Sequence, residues 1–210
     1  MSHELRASRH LLEISLPCRI ILNKDLLTCS SQLTAQSYIC CMKILMVCLG
    51  NICRSPLAEG ILLDKAWKAG LKWSVESAGT NGYHTGEAPH PLSQKVARIN
   101  GVDISKQRSR KFVAEDFHRF DKIYAMSDDV IDDMRRIAKN NFEEKKVDLL
   151  LNELFPGQNV DVPDPWYGPE PGYHEVFKMI NEACDVIIKK YSVINDQYSM
   201  SNYENPEKSN

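Results

Sequence analysis

The fold of this chain is decided where a short apolar strand runs into a helix, in the stretch Lys43-Ile44-Leu45-Met46-Val47-Cys48-Leu49-Gly50-Asn51-Ile52-Cys53-Arg54-Ser55-Pro56. The apolar run over residues 43–48 predicts a buried strand, because it is short and bounded by a Gly-containing turn. Proline is typical of the first turn of a helix, and the apolar spacing that follows predicts a helix over residues 55–69. A strand, a tight loop and a helix are therefore expected in direct succession.

Strands and helices alternate along the rest of the chain as well. Further strands are predicted over residues 73–77, 120–126 and 147–151, and further helices over residues 91–99, 128–139 and 175–191. This alternation is typical of an α/β fold with a parallel sheet covered on both faces. Such sheets bind ligands at the carboxyl ends of their strands, which is where the loop after residue 48 lies.

The length of 210 residues suits one domain with additional terminal segments. We expect a domain over residues 42–192 and a polar, disordered tail over residues 193–210. Residues 1–41 form an N-terminal extension that we expect to be disordered or to reflect a start assigned too early, with Met42 as the natural start. An extension with a regulatory role stays the alternative.

Composition excludes several classes of function. The chain is 43% hydrophobic and 26% charged with a formal net charge of -2, which favours a soluble globular protein with no nucleic-acid partner. No apolar run approaches the roughly 20 residues of a membrane span. The seven cysteines follow no disulfide framework, so we expect mostly free thiols and a cytoplasmic location. The histidines show no metal-ligand spacing, and no metal or cofactor is predicted.

The quoted stretch carries a Cys-x5-Arg pattern formed by Cys48 and Arg54. The pattern alone is weak, since chance yields about 0.33 such pairs in a chain of this composition. Its context strengthens it, because it begins where a strand ends and finishes where a helix begins. Gly50 and Asn51 are the loop residues best able to adopt unusual backbone angles.

This arrangement suits a phosphate dianion. A strand-to-helix loop can turn its N–H groups inward, and the helix N-terminus adds partial positive charge at the same place. Arg54 can hold two phosphate oxygens with its planar guanidinium. The same field favours thiolate over thiol at Cys48, and Ser55 could donate a hydrogen bond to the sulfur. Substrate contacts are therefore expected along the whole loop, from Leu49, Gly50, Asn51, Ile52, Cys53 and Ser55.

The segment 47–56 resembles the N-terminal signature of the low-molecular-weight protein tyrosine phosphatases. The segments Ser77-Ala78-Gly79-Thr80 and Asp164-Pro165-Trp166-Tyr167-Gly168 are similar to further parts of that family, and the resemblance spans about residues 42–192. It implies a flavodoxin-like three-layer sandwich with four parallel strands. It also implies hydrolysis through a phosphocysteine intermediate, with Asp164 protonating the leaving phenolate and then activating water.

The resemblance further implies that aromatic residues line the pocket mouth, with Trp166 and Tyr167 on one side and Tyr83 on the other. A deep aromatic slot favours a tyrosine-phosphorylated protein as substrate. Packing is the competing explanation for these aromatics, and a turn residue is the competing explanation for Asp164. A monomer or weak dimer is expected.

The second loop cysteine, Cys53, forms a disulfide with the first in the resembled family, and a redox switch is carried over as an expectation. Three positions depart from the family pattern. Lys106 stands where a histidine often supports the loop asparagine, Ser127 where many members carry aspartate, and His90 where many carry an acidic residue. His84, His90, His118 and His174 are interpreted as surface or packing residues.

Three alternatives stay open. An arsenate reductase on the same scaffold needs relay cysteines, and beyond Cys53 only Cys184 remains after the loop. A protein-arginine phosphatase is the second, although the resembled members carry a smaller polar residue where this chain has Ile52. The third is a catalytically silent phosphate-binding module, which would keep the loop and lose Asp164.

Overall fold

The computed structural model describes the backbone of residues 42–201 and the side chains of residues 42–192. The predicted N-terminal extension over residues 1–41 and the last part of the predicted tail, residues 202–210, lie outside the described residues. Within the described range, none of the helices is long and apolar enough to cross a bilayer.

The centre of the domain is a four-stranded sheet in which all neighbouring strands are parallel. The strand order is β2-β1-β3-β4. The strands span Lys43–Cys48 (β1), Ser74–Gly79 (β2), Lys122–Ala125 (β3) and Val147–Leu149 (β4). Because β1 lies between β2 and β3, its last residue is central at the carboxyl edge of the sheet. The flavodoxin-like α/β fold expected from the sequence is confirmed.

Helices follow the strands in the expected alternation. They span Arg54–Lys68 (α1), Pro91–Ile99 (α2), Asp116–Arg119 (α3), Asp128–Ala138 (α4) and Glu170–Ser201 (α5), with short 3-10 turns at Lys139–Asn141, Glu144–Lys146 and Leu150–Glu153. Helix α2 has the predicted bounds, since Pro91 suits its first turn and Gly101 at φ 81° suits the chain reversal after it.

Alternate residues of β1 face the two helical layers. Ile44 and Met46 pack in a core with α1, α2 and α5, whereas Leu45 and Val47 pack in a second core with α3 and α4. All four side chains are fully buried. A strand covered on both faces needs a continuous apolar run rather than an alternating one, which explains the composition of residues 44–47.

The structure differs from the sequence predictions at several boundaries. Strand β2 begins one residue and ends two residues later than expected, and the end of the predicted fourth strand is a 3-10 turn. The short helix α3 was not predicted. Helix α5 begins at Glu170 and continues through Ser201, so the prediction of a disordered tail does not hold for residues up to 201. Residues 192–201 contain no Gly or Pro that would end the helix.

Candidate active site

The loop that follows β1 brings Cys48 and Arg54 to the centre of the carboxyl edge. Cys48 is the last residue of β1 and is 3% exposed, and Arg54 is the first residue of α1 and is buried. Asn51 has φ 55°, the left-handed conformation that asparagine tolerates better than most residues. This conformation turns the Asn51 N–H inward, where it donates to Cys48 Sγ over 3.2 Å.

The remaining loop amides are available for an anion. Within residues 42–201, the backbone N–H groups of Leu49, Gly50, Ile52 and Cys53 donate to no acceptor. A ring of inward amides at a helix N-terminus is a typical oxyanion cradle.

Gly50 does not adopt the unusual, left-handed backbone conformation that the sequence suggested, since its φ is not positive. A side chain there would have its Cβ 3.3 Å from the ring of His84, so the glycine permits a close approach instead.

A hydrogen-bond network holds the sulfur from behind the loop. Ser55 Oγ lies 3.0 Å from Cys48 Sγ and accepts a hydrogen bond from Asn51 Nδ2 over 2.9 Å. Asn51 Nδ2 also donates to Ser77 Oγ over 2.8 Å, and Ser77 Oγ donates to Glu59 Oε2 over 2.5 Å. The Ser55 hydroxyl has two acceptors within reach, the Ala78 carbonyl oxygen at 3.5 Å and Cys48 Sγ at 3.0 Å, and its single proton can point at the nearer sulfur. The hydroxyl can therefore stabilise a thiolate.

Glu59 ends this network on α1. Burial raises its carboxyl pKa above the ordinary value, and the hydrogen bond from Ser77 opposes that rise. Neither Glu59 nor Ser77 was predicted individually as part of the site. Glu59 follows Ser55 by one helical turn, and this spacing is the only signal in the sequence that places both side chains on the same face of α1.

Two neighbouring segments support the back of the loop. Gly79, the last residue of β2, packs so closely that a Cβ would lie 2.9 Å from the Leu49 carbonyl oxygen. The Arg110 N–H donates to Asn51 Oδ1 over 2.9 Å. Lys106, which stands where the resembled family often has a histidine supporting the loop asparagine, does not make this contact. Lys106 is exposed, and the backbone amide of Arg110, four residues later, makes the contact. A backbone amide can take this role whatever side chain the residue carries.

Asp164 lies directly against Arg54, the arginine predicted to bind phosphate. Its Oδ2 is 2.6 Å from Arg54 Nη2, and its Oδ1 accepts from the Trp166 N–H over 3.1 Å. Arg54 Nη1 also donates to the Val162 carbonyl over 3.1 Å. The Val162 N–H in turn donates to the carbonyl of Met126, just after β3, over 2.8 Å. The loop over residues 162–168 is thus fixed to the edge of the sheet, and this brings together the three residues predicted to be catalytic.

The three predicted mouth aromatics differ in their packing. Trp166 is 37% exposed, and its ring lies 5.4 Å from the ring of His84 and 5.3 Å from the ring of His90. Tyr83 and Tyr167 are 87% and 97% exposed, so their side chains stand in solvent. Leu49 is also exposed. The structure therefore packs one of the three aromatic rings, that of Trp166, against two histidine rings and leaves the two tyrosine side chains exposed.

His90 connects four parts of the site. Its ring stacks on Tyr173 of α5 with centroids 5.2 Å apart, and its Nδ1 accepts from the Leu92 N–H at the start of α2. Its backbone N–H donates to the Ile52 carbonyl over 2.7 Å. Burial lowers its pKa, so the ring is neutral at physiological pH. The interpretation of His84 and His90 as packing residues is thus accurate but incomplete, because both pack against the loop that carries Asp164.

Cys53 lies beneath the loop and is 4% exposed. Burial raises its pKa to about 12, while the nearby hydroxyl groups of Tyr173 and Ser93 lower it in part. Cys53 is therefore a neutral thiol at physiological pH. Cys48, Cys53 and Cys184 are free thiols.

Ser127, a departure from the family pattern, precedes α4 and is nearly buried.

The described residues contain no group of three or more His, Cys, Asp or Glu side chains that could hold a metal ion. A buried thiol at a strand end, loop amides without an acceptor, a buried arginine and a carboxylate at the edge of an α/β sheet are typical of phosphatases that act through cysteine. The arrangement defines this class of site.

Comparison with known proteins identifies the family. Residues 43–196 match the family model described as low molecular weight phosphotyrosine protein phosphatase, and the chain belongs to this family. The chain is 36% identical over 151 residues to the low molecular weight protein-tyrosine-phosphatase YfkJ of Bacillus subtilis, covering 70% of this chain and 94% of that protein. It is 31% identical over 150 residues to the human low molecular weight phosphotyrosine protein phosphatase, covering 70% of this chain and 94% of the human protein.

Solved structures agree with this assignment. The structure of a protein tyrosine phosphatase from Entamoeba histolytica with Hepes in its active site matches with a TM-score of 0.66 at 34% identity, covering 73% of this chain and 99% of that chain. The chain is accordingly an enzyme of the low molecular weight protein-tyrosine-phosphatase class.

Proposed function

We propose that the chain hydrolyses phosphotyrosine in proteins, and small aryl phosphates, through a phosphocysteine on Cys48. The observation that supports the proposal is the loop after β1, in which the Asn51 N–H donates to Cys48 Sγ and Arg54 lies at hydrogen-bond distance from Asp164. The substrate class is supported by the names of the relatives, which are protein-tyrosine-phosphatases. A cytoplasmic location and a monomeric or weakly dimeric state stay predictions.

In the first step the Cys48 thiolate attacks phosphorus, and the bond from phosphorus to the phenolic oxygen breaks. The protonated carboxyl of Asp164 gives its proton to that oxygen, so tyrosine leaves as a neutral phenol. Arg54 and the loop amides hold the equatorial oxygens throughout.

In the second step water attacks the phosphocysteine. Asp164, now ionised, takes a proton from this water as the new phosphorus–oxygen bond forms. The sulfur leaves as a thiolate and is stabilised by hydrogen bonds from the Ser55 hydroxyl and the Asn51 N–H. Inorganic phosphate then dissociates and the starting thiolate is restored.

The three alternative functions are less well supported. The single later cysteine, Cys184, is fully buried on α5, and burial raises its pKa strongly, which opposes a role in a disulfide relay to arsenate. The resembled arginine phosphatases carry a smaller polar residue at the position of Ile52. Here that residue is a buried apolar one, which does not favour phosphoarginine as substrate. A silent phosphate-binding module would not need Asp164 at hydrogen-bond distance from Arg54.

The test is hydrolysis of a phosphotyrosyl peptide in the presence of a metal chelator. Wild-type protein and a Cys184→Ala control should release phosphate at similar rates, and a Cys48→Ser variant should release none. A phosphoarginyl peptide and arsenate with a thiol reductant serve as competing substrates. Faster turnover of either one than of the phosphotyrosyl peptide would overturn the proposal.

A further inference from the structure

A basic segment runs beside the phosphate loop. Residues 105–111 read Ser-Lys-Gln-Arg-Ser-Arg-Lys, which gives four basic side chains in seven positions. Ser109 Oγ donates to the Gly50 carbonyl over 3.2 Å, and the Arg110 N–H donates to Asn51 Oδ1 over 2.9 Å. The segment is therefore fixed to the loop that would hold the phosphate.

The same segment is also joined to the loop that carries Tyr83. The Gly86 N–H donates to the Ser109 carbonyl over 2.8 Å, and the Ser109 N–H donates to the Glu87 carbonyl over 2.9 Å. The Lys111 side chain runs along Gly82, where a Cβ would lie 3.5 Å from Lys111 Cδ. The basic segment thus forms part of the rim of the pocket mouth.

Three of the four basic side chains on this segment are available to a partner. Lys106, Arg108 and Lys111 are exposed, and within residues 42–192 none of them pairs with a carboxylate at salt-bridge distance. The guanidinium of Arg108 reaches only the carbonyl oxygens of Ser105 and Gln107. We name these three side chains the basic rim.

The nearby carboxylates make other hydrogen bonds or ion pairs, although Asp103 also lies close enough to Lys106 to interact with its charge. Arg110, the fourth basic residue, pairs with Glu76 and with the buried Asp116, so it belongs to the fold. Glu87 pairs with His84 over 2.9 Å, and Asp103 accepts from the Ser105 N–H over 2.9 Å. Lysine and arginine chains that have no such structural role and lie beside an active site suit an acidic partner.

We propose that the basic rim binds acidic side chains flanking the phosphotyrosine of the protein substrate, and so determines substrate preference. This inference rests on the proposed function. With the phosphate in the loop, the peptide backbone crosses the pocket mouth. Neighbouring residues of an extended peptide are about 3.3–3.6 Å apart, so side chains two or three positions away come within reach of the rim. The chemistry of the pairs is carboxylate to ammonium or guanidinium.

The experiment compares kcat/KM for three substrates: a small aryl phosphate, a phosphotyrosyl peptide with alanine flanks, and the same peptide with glutamate flanks. Wild-type protein should prefer the glutamate-flanked peptide over the alanine-flanked one. The variant Lys106→Gln/Arg108→Gln/Lys111→Gln should lose about three- to tenfold on the glutamate-flanked peptide only, as expected when a few exposed charge pairs are removed. Higher ionic strength should reduce the wild-type preference in the same way.

The matched control removes three positive charges near the amino ends of the strands, on the side of the sheet away from the phosphate loop. Lys72 precedes β2, Lys145 precedes β4, and Lys189 lies on the late part of α5 near the contact of Trp73 with Tyr191. The variant Lys72→Gln/Lys145→Gln/Lys189→Gln should keep the preference of the wild type.

The outcomes separate the two proposals. Unchanged activity of the rim variant on the small aryl phosphate shows an intact site. An equal loss on all three substrates, or an equal loss in rim and control variants, overturns the role of the basic rim. Wild-type protein that hydrolyses both peptides without preference overturns the inference alone. Wild-type protein that hydrolyses neither peptide overturns the proposed function itself.

Discussion

The carboxylate of Asp164 and the guanidinium of Arg54 form an ion pair of 2.6 Å between a half-exposed acid and a buried base. The proposed proton donor and the proposed phosphate ligand are therefore coupled. A phosphate dianion bound by Arg54 competes with Asp164 for the same cation and brings negative charge close to the carboxylate.

Replacing Asp164 by asparagine should separate binding from catalysis. We expect inorganic phosphate to inhibit Asp164→Asn at a concentration about three- to tenfold lower, because the competing negative charge is removed. The rate for an aryl phosphate with a poor leaving group should fall by about 100-fold or more, whereas a good leaving group needs little protonation. Inhibition constants and kcat for a series of aryl phosphates measure both effects. Equal losses for good and poor leaving groups would argue against Asp164 as the acid.

Replacing Ser55 by alanine should slow the second chemical step. The Ser55 hydroxyl lies 3.0 Å from Cys48 Sγ, and loss of a hydrogen bond to a charged group slows departure of the thiolate by about tenfold or more. Stopped-flow measurement should show a burst of phenol followed by a slow steady rate. Ser93→Ala is the matched control, since this hydroxyl is buried beside Cys53 and not beside Cys48. A Ser55→Ala variant with no burst and an unchanged rate would remove the role of this hydroxyl.

Replacing His90 by alanine should loosen the loop that carries the acid. The His90 ring fills the space between Trp166 and Tyr173, so the free energy of unfolding should fall by about 1 kcal/mol. Activity should fall more for poor than for good leaving groups, because Asp164 loses its fixed position. The control is His118→Ala, an exposed histidine on α3. If His90→Ala lowers the free energy of unfolding but leaves the dependence of activity on the leaving group unchanged, then His90 contributes only to packing.

The buried Glu59 should make stability depend on pH with a defined sign. Its folded pKa lies above the ordinary value of 4.5, so the folded protein holds this proton more tightly than the unfolded chain. The contribution of Glu59 to stability is complete below pH 4.5 and is lost as the pH rises through the raised value. Denaturant unfolding from pH 4 to pH 8 should show the stability of Glu59→Gln, relative to wild type, rising across that window. A difference that stays constant with pH would show that Glu59 is not perturbed.

The elements around the phosphate loop could be predicted because their signals are local. An apolar run that ends at Cys48, a proline at the start of α1, and Pro91 with Gly101 at the two ends of α2 specify strand and helix bounds within one or two residues. The Cys-x5-Arg spacing likewise identifies the candidate nucleophile and anion ligand, because both lie on one short loop.

The supporting contacts could not be predicted, because they join residues far apart in the chain. Asn51 is supported by the backbone amide of Arg110. A contact made by a backbone amide requires no particular residue type, so no sequence pattern indicates it. His84 and His90 flank Trp166 only after the loop over residues 162–168 closes on the sheet. The length of α5 was underestimated because the apolar periodicity weakens before the helix ends.

The most direct test of the account is chemical trapping of the covalent intermediate. Wild-type protein is mixed with an excess of an aryl phosphate, quenched in acid within milliseconds, digested and mapped by mass spectrometry. We expect one added phosphoryl group on the peptide that contains Cys48, and none in a Cys48→Ser variant. A phosphoryl group on another residue, or turnover by Cys48→Ser at the wild-type rate, would contradict it.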